Sequence, residues 1–226
     1  MGSTTFSDMK TRLKLRFGNS DSWDSYYGTW CNSAYGQLVN RDKITPDDRK
    51  RLYFPELITS TSSSTSDGTA YVSTPSDCLV VYEVFDDTSN VRLDWIPFRD
   101  YLAKTDRDTT TAEDSPEKWT RSGSYIYVYP TPDSTYSLTI YYRKRPTALS
   151  ADADVTAIGA EWDDVILELA YSIGRMWAGE IEKSEYSMKL AEKMMSQISG
   201  LYDAEEKARR EKIRPEASTL DRGSTY

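Results

Sequence analysis

The clearest pattern in the chain is a pair of alternating aromatic and β-branched runs, residues 125–129 and 136–142, separated by the proline-containing polar segment 130–134. Alternation of this kind predicts strands, and the Pro/Asp/Ser cluster can turn the chain but cannot extend a strand. We therefore predict a β-hairpin. In the first run the pleat places the three tyrosines on one face and Ile126 and Val128 on the other, so that one face enters a core and the tyrosines stay at its boundary.

Two amphipathic helices follow this hairpin. The first begins near residues 160–162, and its apolar residues recur at three- and four-residue spacing: Trp162, Ile166, Leu169, Ile173 and Trp177. The second is predicted from about Lys183 to Arg210, with one apolar face: Tyr186, Leu190, Met194, Ile198 and Leu201. Gly179 marks the break between them. The two helices are expected to pack as an antiparallel α-hairpin.

The N-terminal region predicts a second pair of helices. A short helix capped by Thr5 or Ser7 presents one apolar face: Phe6, Met9, Leu13 and Phe17. A longer helix starts at Asp21 or Ser22, ends near Asn40, and carries a broad aromatic face: Trp23, Tyr26, Tyr27, Trp30, Ala34, Tyr35 and Leu38. Such a stripe can stack on a ligand, although core packing or a subunit contact explains it better, because aromatic residues dominate both.

Between residues 44 and 146 the helical period is lost, and short alternating runs are separated by polar clusters. Strands are predicted at residues 69–73, 78–85 and 91–95, and a short helix at 97–103. In that helix Phe98 and Leu102 are expected to face inward. Two polar segments lack the apolar groups to pack. Residues 59–68 are predicted to be a flexible loop or a segment ordered only by a neighbour, and residues 105–118 a mobile loop.

These elements predict an α+β fold. A helical bundle, formed by the N-terminal helix pair and the long C-terminal α-hairpin, carries an inserted small antiparallel β-domain and ends in an extended C-terminal arm. The expected boundaries are residues 1–43 for the N-terminal helices, 44–147 for the β-domain, 148–212 for the helical hairpin and 213–226 for the arm.

Composition restricts the classes of function. A net charge of −8 and a pI near 4.8 argue against a protein that grips nucleic acid by neutralising phosphates, which requires an excess of clustered Lys and Arg. Cys31 and Cys78 are the only cysteines, so a disulfide framework is not expected. No apolar run is long enough for a signal peptide or a membrane span, and synthesis and assembly in a cytoplasm is the expectation.

The sequence offers little for catalysis or cofactor binding. It contains no histidine, the commonest general base, and neither glycine-rich nucleotide motif. Four carboxylates near the start of the C-terminal hairpin are candidates for a hydrolase pair or a divalent cation site: Asp152, Asp154, Asp163 and Asp164. Helix capping explains them better. We expect neither an enzyme nor a bound metal or cofactor.

The order of these features resembles that of head-to-tail adaptor proteins, also called connectors, of tailed and especially short-tailed bacteriophages. The resemblance covers nearly the whole chain and rests on these segments: residues 5–13, 30–35, 127–133, 138–143, 146–149 and 161–167. It implies that about twelve copies form a ring below the portal, continue the DNA channel and bind the portal through C-terminal arms. The residues of this chain that would form the arm contact are Ile213, Pro215, Leu220 and Tyr226, with the last two as apolar anchors.

The resemblance also implies further partners and a location. The two polar loops would contact neighbouring copies or downstream tail proteins (nozzle or fibre) through Ser60, Ser64, Asp67, Thr110 and Glu113. Genomic DNA would pass nearby without sequence-specific binding, since an acidic wall repels phosphate. The protein would stand in the virion neck after assembly in the host cytoplasm, with no membrane partner.

Other functions stay open at this point. A different neck or tail-completion protein is the nearest alternative. A carbohydrate-binding module is motivated by Trp23, Trp30, Trp95 and the tyrosine-rich run at 125–129, and a carboxylate-pair hydrolase comes third.

Overall fold

A computed structural model describes residues 4–41, 43–45, 52–105 and 113–213, with side chains described as far as Tyr202. The chain divides into two compact units, Met1–Phe54 with Ala148–Tyr226, and Pro55–Thr147. The first unit is helical, and the second holds two four-stranded sheets and a short helix. The predicted α+β fold class is confirmed.

The helices and strands have these bounds. The helices are α1 (Phe6–Arg16), α2 (Asp24–Asn40), α3 (Phe98–Thr105), α4 (Asp163–Trp177) and α5 (Ile181–Ile213), and 3-10 turns at Asp21–Trp23 and Ala160–Trp162 lead into α2 and α4. The strands are β1 (Ile58–Ser64), β2 (Tyr71–Ser73), β3 (Cys78–Asp86), β4 (Val91–Arg92), β5 (Asp94–Trp95), β6 (Lys118–Ser122), β7 (Tyr125–Tyr129) and β8 (Ser137–Lys144).

Helix α1 begins as its sequence predicts. The Thr5 hydroxyl accepts a hydrogen bond from the backbone N–H of Asp8 at 3.2 Å, which satisfies one of the free donors of the first turn. The predicted apolar face of α1 is buried, from Phe6 to Phe17. The N–H of Phe6 also donates to the carbonyl of Asp154 at 2.7 Å, so the start of α1 is attached to the segment that precedes α4.

Most of the aromatic face of α2 lies in the core of the helical unit. Tyr27, Trp30 and Tyr35 are buried, and the Trp30 ring lies 5.4 Å from the ring of Phe17 and 5.7 Å from that of Tyr27. Centroid distances in this range are typical of favourable aromatic pairs. Core packing therefore accounts for this part of the stripe.

The apolar stripe predicted for α4 is buried at the start of the helix but not at its end. Trp162, Ile166 and Leu169 are buried, as the stripe predicts, whereas Trp177 leaves 64% of its surface exposed. Trp177 belongs to the last turn of α4, and the chain reverses at Gly179, whose φ is +79°. The prediction that Trp177 faces inward is wrong because the partner helix starts only after this reversal.

Helix α5 presents a different face to α4 from the one predicted. Its buried positions are Ser184, Ser187, Ala191, Met195 and Ser199, while Tyr186 and Leu201 are 71% and 73% exposed. The small side chains allow the two helices to approach closely, and the Ser172 hydroxyl donates to the carbonyl of Ser184 at 2.9 Å. The predicted row of large residues would hold the helices apart, which explains why it lies beside the buried face.

In the β-unit the strands form two sheets, with orders β1-β8-β3-β4 and β2-β7-β6-β5. All strand pairs are antiparallel except β5 with β6, which is parallel. Inward-facing residues of both sheets, such as Val84, Ile126 and Ile140, belong to one buried cluster. Within this unit the two sheets therefore share a core.

The predicted hairpin between the two aromatic runs is wrong. Strand β7 pairs with β6 and β2, whereas β8 pairs with β1 and β3 in the other sheet. Strand β7 instead forms a hairpin with β6, and the turn between these two strands contains Gly123, whose φ is +59°. Crossing between sheets lets Ile126 and Leu138 enter the same core from two sides. The predicted faces of the first run are nevertheless confirmed, since Ile126 and Val128 are buried and its tyrosines are not.

Within this unit the structure decides between two alternatives for one segment and corrects two other expectations. Residues 58–64 form β1 and pair with β8 over seven residues, so the alternative that this segment is ordered by a neighbour is confirmed and the flexible loop is wrong. Ladder hydrogen bonds to a buried neighbour order a segment that cannot fold alone. The predicted strand at 91–95 divides into β4 and β5, which belong to different sheets. In α3, Tyr101 rather than Leu102 is buried, and residues 106–112 lie outside the described residues.

Gly174 of α4 offers a test of the helical core. A Cβ atom there would lie 2.7 Å from Phe17 Cζ and 2.7 Å from Trp30 Cε3, well inside normal carbon–carbon contact. Gly174→Ala should lower the free energy of unfolding by about 1–3 kcal/mol. Gly36→Ala in α2 is the matched control, because nothing lies within 4 Å of its added Cβ, and it should raise stability by about 0.5–1 kcal/mol. Urea unfolding measures both, and a fully stable Gly174→Ala protein would contradict the described packing.

Candidate interaction surfaces

Strand β1 places two of the predicted interface residues on the surface. Ser60 and Ser64 are exposed, as is Ser62 between them. Strand β1 lies at the end of its sheet, with β8 on one side and, among the described residues, no strand on the other. Ser60 and Ser64 are therefore at an open sheet edge, where backbone N–H and C=O groups are available to another chain.

The turn after β1 carries acidic residues. Asp67 and Glu113 are exposed. A carboxylate oxygen of Glu113 lies close to Gly68, at 3.7 Å from the position that a Cβ atom would take on this glycine. The Gly68 N–H donates to the carbonyl of Pro132 at 2.9 Å. Asp67 and Glu113 are thus brought together beside the end of β1, although they are far apart in sequence. Thr110, the remaining predicted loop residue, lies outside the described residues.

The predicted C-terminal arm follows the longest helix in the described part of the chain. Ile213 is the last residue of α5. Pro215, Leu220 and Tyr226 lie outside the described residues. Near Tyr202, α5 still contacts the rest of the helical unit, because the Tyr202 ring stacks on Trp162 with centroids 6.5 Å apart. The hydroxyl of Tyr202 also donates to the Glu161 carboxylate.

An exposed aromatic patch lies on the helical unit. It is formed by Tyr26, Met176, Trp177 and Ile181, with the half-buried Trp23 beside Tyr26. The Tyr26 and Trp177 rings are 5.9 Å apart. Tyr, Trp and Met are enriched where proteins bind one another. Sequence reasoning assigned Trp177 to the core, and the signal against that assignment was Gly179, which ends the helix within two residues.

Charged groups fix the turn that presents this patch. The Arg175 guanidinium donates to Glu180 at 2.8 Å and to the carbonyl of Arg16 at 3.2 Å. It also lies over the Phe17 ring, 4.3 Å from the centroid. Lys183 pairs with Glu180, and the hydrogen bond from Lys183 lowers the pKa of that carboxyl. Contacts on several sides hold the α4–α5 turn, and Trp177 with it, in one position.

A groove of about 420 Å³ lies beside the first turns of α5. Tyr171, Tyr186 and Leu190 form its apolar lining. Arg16 and the buried Glu168 pair in its wall at 2.6 Å. The exposed Tyr186 thus flanks a concave surface, which adds to the apolar surface of the helical unit.

Two of the four candidate carboxylates form ion pairs with α1. Asp152 accepts from Lys10 at 2.7 Å, and Asp164 accepts from Arg12 at 2.7 Å. All four side chains are partly or largely exposed, so each pair contributes at most about 1 kcal/mol. These contacts connect α1 to the segment around the start of α4.

The other two carboxylates bind the backbone. Asp163 is buried and accepts from the Thr4 N–H at 2.7 Å. Asp154 accepts from the N–H groups of Ser150 and Ala151 at 2.7 and 2.8 Å, and these bonds lower the pKa of its carboxyl. The capping explanation is wrong for both residues, because no side chain caps α4 and the residues that Asp154 binds lie outside the helices. The four carboxylates are engaged in separate structural contacts.

The tryptophans behind the carbohydrate-binding alternative are not assembled into one surface within either unit. Trp30 is buried in the helical core. Trp95 is exposed but belongs to the β-unit, whereas Trp23 belongs to the helical unit. The tyrosines of β7 contact Tyr71 and Phe98 of their own unit.

Cys31 lies in α2 and is buried. Burial raises the pKa of the Cys31 thiol to about 12, so it is protonated and unreactive at neutral pH. Among the described side chains, which extend as far as Tyr202, no group of three or more Cys, Asp or Glu could hold a metal ion. No helix in this part of the chain is long and apolar enough to cross a membrane.

Comparison with known protein families finds a match over nearly the whole chain. The family model described as SU10 adaptor protein matches residues 4–217. No curated protein matches the chain.

Asp154 offers a test of the segment before α4. Its carboxyl has a lowered pKa in the folded protein, so its stabilising effect is present above the unfolded-state value of 3.8 and is lost as the pH falls below it. Asp154→Ala should lower the urea midpoint at pH 7, and the difference from wild type should shrink at pH 3. Asp152→Ala, which removes only an exposed ion pair, is the control and should change the midpoint little at pH 7. An equal loss for Asp154→Ala at both pH values would contradict the assignment.

Proposed function

Because the chain belongs to the SU10 adaptor protein family, we propose that it is a structural head-to-tail adaptor of a bacteriophage. Copies of it assemble as a ring below the portal, extend the DNA channel and provide the attachment site for tail proteins. The observation that carries this proposal is the family match over nearly the whole chain, residues 4–217. The protein then stands in the neck of the virion and acts by binding, without catalysis.

The exposed aromatic patch supports a role in assembly. A closed ring needs two different faces on each copy, because each face meets the other type on its neighbour. Trp177 and Tyr26 supply large, rigid apolar area at low entropic cost, which is why such residues dominate binding energy. The charge network around Arg175 fixes them before binding. We assign the patch to a contact between adjacent copies in the ring.

The C-terminal residues supply the portal contact in this proposal. Residues 214–226 follow α5, and their composition has too few apolar residues to form a core alone. A segment of this kind gains structure on a partner surface, and Leu220 and Tyr226 are its apolar anchors. Overall acidity supports the channel role, since a net charge of −8 disfavours adhesion of the phosphate backbone.

The portal contact is tested with the portal protein of the same virus. Light scattering measures the mass of the full chain, of a chain ending at Pro215 and of the double variant Leu220→Ala/Tyr226→Ala, each alone and with portal. The full chain should shift onto the portal as a ring, and the other two should not. Ser218→Ala/Ser224→Ala is the control and should assemble normally. Assembly of the truncated chain would remove the arm from the mechanism, and a full chain that ignores the portal would overturn the adaptor function.

The subunit contact is tested separately with Trp177→Ser. Trp177 is largely exposed, so its replacement should leave the urea midpoint unchanged and weaken ring formation on the portal at least about tenfold, as expected for a binding hot spot. Leu15→Ser removes an equally exposed apolar side chain outside the patch and should assemble like wild type. Normal assembly of Trp177→Ser would show that the patch lies outside the contact.

A further inference from the structure

We propose that the open edge of β1 binds an extended segment of a different virion protein, which adds to the sheet as a fifth strand and carries Lys or Arg beside Asp67 and Glu113. The inference rests on the proposed function, because it assigns an attachment site of the adaptor to one surface. It depends on the direction of the backbone groups of β1, the lack of protection at its edge and the charge around its end.

The backbone direction follows from the ladder between β1 and β8. The Thr65 N–H donates to the carbonyl of Tyr136 at 3.0 Å, so Thr65 faces β8. Backbone groups alternate in direction along a strand, so those of Thr61 and Ser63 also face β8. Those of Ser60, Ser62 and Ser64 point away from β8 to the open edge. Ser137, opposite Ser64, agrees with this alternation, since its carbonyl accepts from Asp87 on the β3 side at 2.8 Å.

The edge lacks the features by which sheet proteins usually prevent strand addition. Edge strands are normally short, charged, interrupted by proline or bulged. The other edge strands of the two described sheets, β2, β4 and β5, have two or three residues. Strand β1 has seven, none charged and none proline, and it pairs with β8 without a shift in register. It is the one long unprotected edge among the described strands.

The two faces of β1 define the side chains that an added strand must carry. Thr61 lies opposite Ile140 and Ser63 opposite Leu138, and both of these partners are fully buried. Residues of an added strand beside Thr61 and Ser63 would extend this core and should be apolar. Those beside the exposed Ser60 and Ser62 would face solvent and should be polar. The occupant is therefore an extended segment with alternating apolar and polar residues.

Acidic residues near the end of β1 favour a basic residue at one end of the bound segment. Asp67 and Glu113 lie just beyond Ser64, and the exposed Asp114 and Asp133 belong to the adjoining loops, which are joined by a hydrogen bond from the Asp114 N–H to the carbonyl of Thr131 at 2.9 Å. A Lys or Arg at the end of the occupant that reaches this turn gains attraction there and accelerates association.

A second copy of this chain is a poorer occupant. Antiparallel pairing of two β1 strands around Ser62 would align Asp67 with Leu57 of the second copy, one residue from the exposed Glu56, so like charges would lie close together. The other described edges of a second copy offer only two or three residues. A segment from a different protein need not carry acidic residues at these positions and is not restricted to a strand of two or three residues.

The test uses full-length chain assembled on the portal, to which each purified tail protein of the same virion is added in turn. Ser62→Pro removes an N–H that faces the open edge and should weaken binding of one tail protein at least about tenfold, with the urea midpoint unchanged. Thr61→Pro is the matched control, because its N–H faces β8, and it should lower the midpoint. Ser62→Lys blocks the same edge by charge and gives a second reading if Ser62→Pro is unstable.

Two further measurements distinguish binding by strand addition from binding through side chains alone. On binding, the amides of Ser60, Ser62 and Ser64 should become protected from hydrogen exchange. Asp67→Asn/Glu113→Gln should weaken binding and reduce its dependence on salt.

Three results would overturn the proposal. They are wild-type affinity for both Ser62 variants, no binding of any tail protein by the wild-type chain, and a dimer of the chain alone that Ser62→Pro dissociates. A wild-type chain that fails to load onto the portal overturns the adaptor function instead. The tail proteins are then added to the free chain, where Ser62→Pro still decides the role of β1.

Discussion

The helical unit depends on the close approach of α4 to the aromatic core. At Gly174 there is no side chain, and Phe17 and Trp30 occupy the space that one would fill. The same region holds Arg175, which lies over Phe17 and bonds the end of α1 and Glu180. One point of contact therefore sets the position of α4 in the core and the position of the α4–α5 turn at the surface. The turn beside the aromatic patch is therefore anchored to the core through Arg175.

Local sequence signals predicted much of the fold and failed where an element's partner lies far along the chain. The cap at Thr5, the face of α1 and the inward residues of β7 follow from spacing alone. The pairing of β7 does not, because both aromatic runs have an apolar face and the sequence does not say which strands those faces meet. Strand β1 shows the same limit, since its Ser/Thr run has no hydrophobic signal and is ordered by β8.

Among the candidate surface residues, too, some were indicated by the sequence and others were not. The family resemblance implied interface loops at Ser60, Ser64, Asp67 and Glu113. The structure adds that the two serines lie on the edge strand β1 and the two acids beside its end. Trp177 and Tyr186 were misassigned because hydrophobicity at helical spacing does not distinguish a face buried in the chain from one left outside. In α5 small serines pack against α4, so the row of larger apolar residues lies beside the buried face and leaves Tyr186 and Leu201 exposed.

Helix α5 spans 33 residues, or about 50 Å at the rise of an α-helix. It continues from Tyr202, stacked on Trp162, to Ile213, where the residues assigned to the portal begin. A continuous helix fixes both the distance and the rotation angle between its residues. The last part of α5 therefore fixes how far Ile213 lies from Tyr202 and their relative angle about the helix axis. Adding one residue there would turn the arm by about 100° while moving it only about 1.5 Å, and adding a whole turn would shift it by about 5 Å with its direction kept. Under the proposed function, insertions in this part of α5 should therefore be tolerated only in steps of roughly one helical turn.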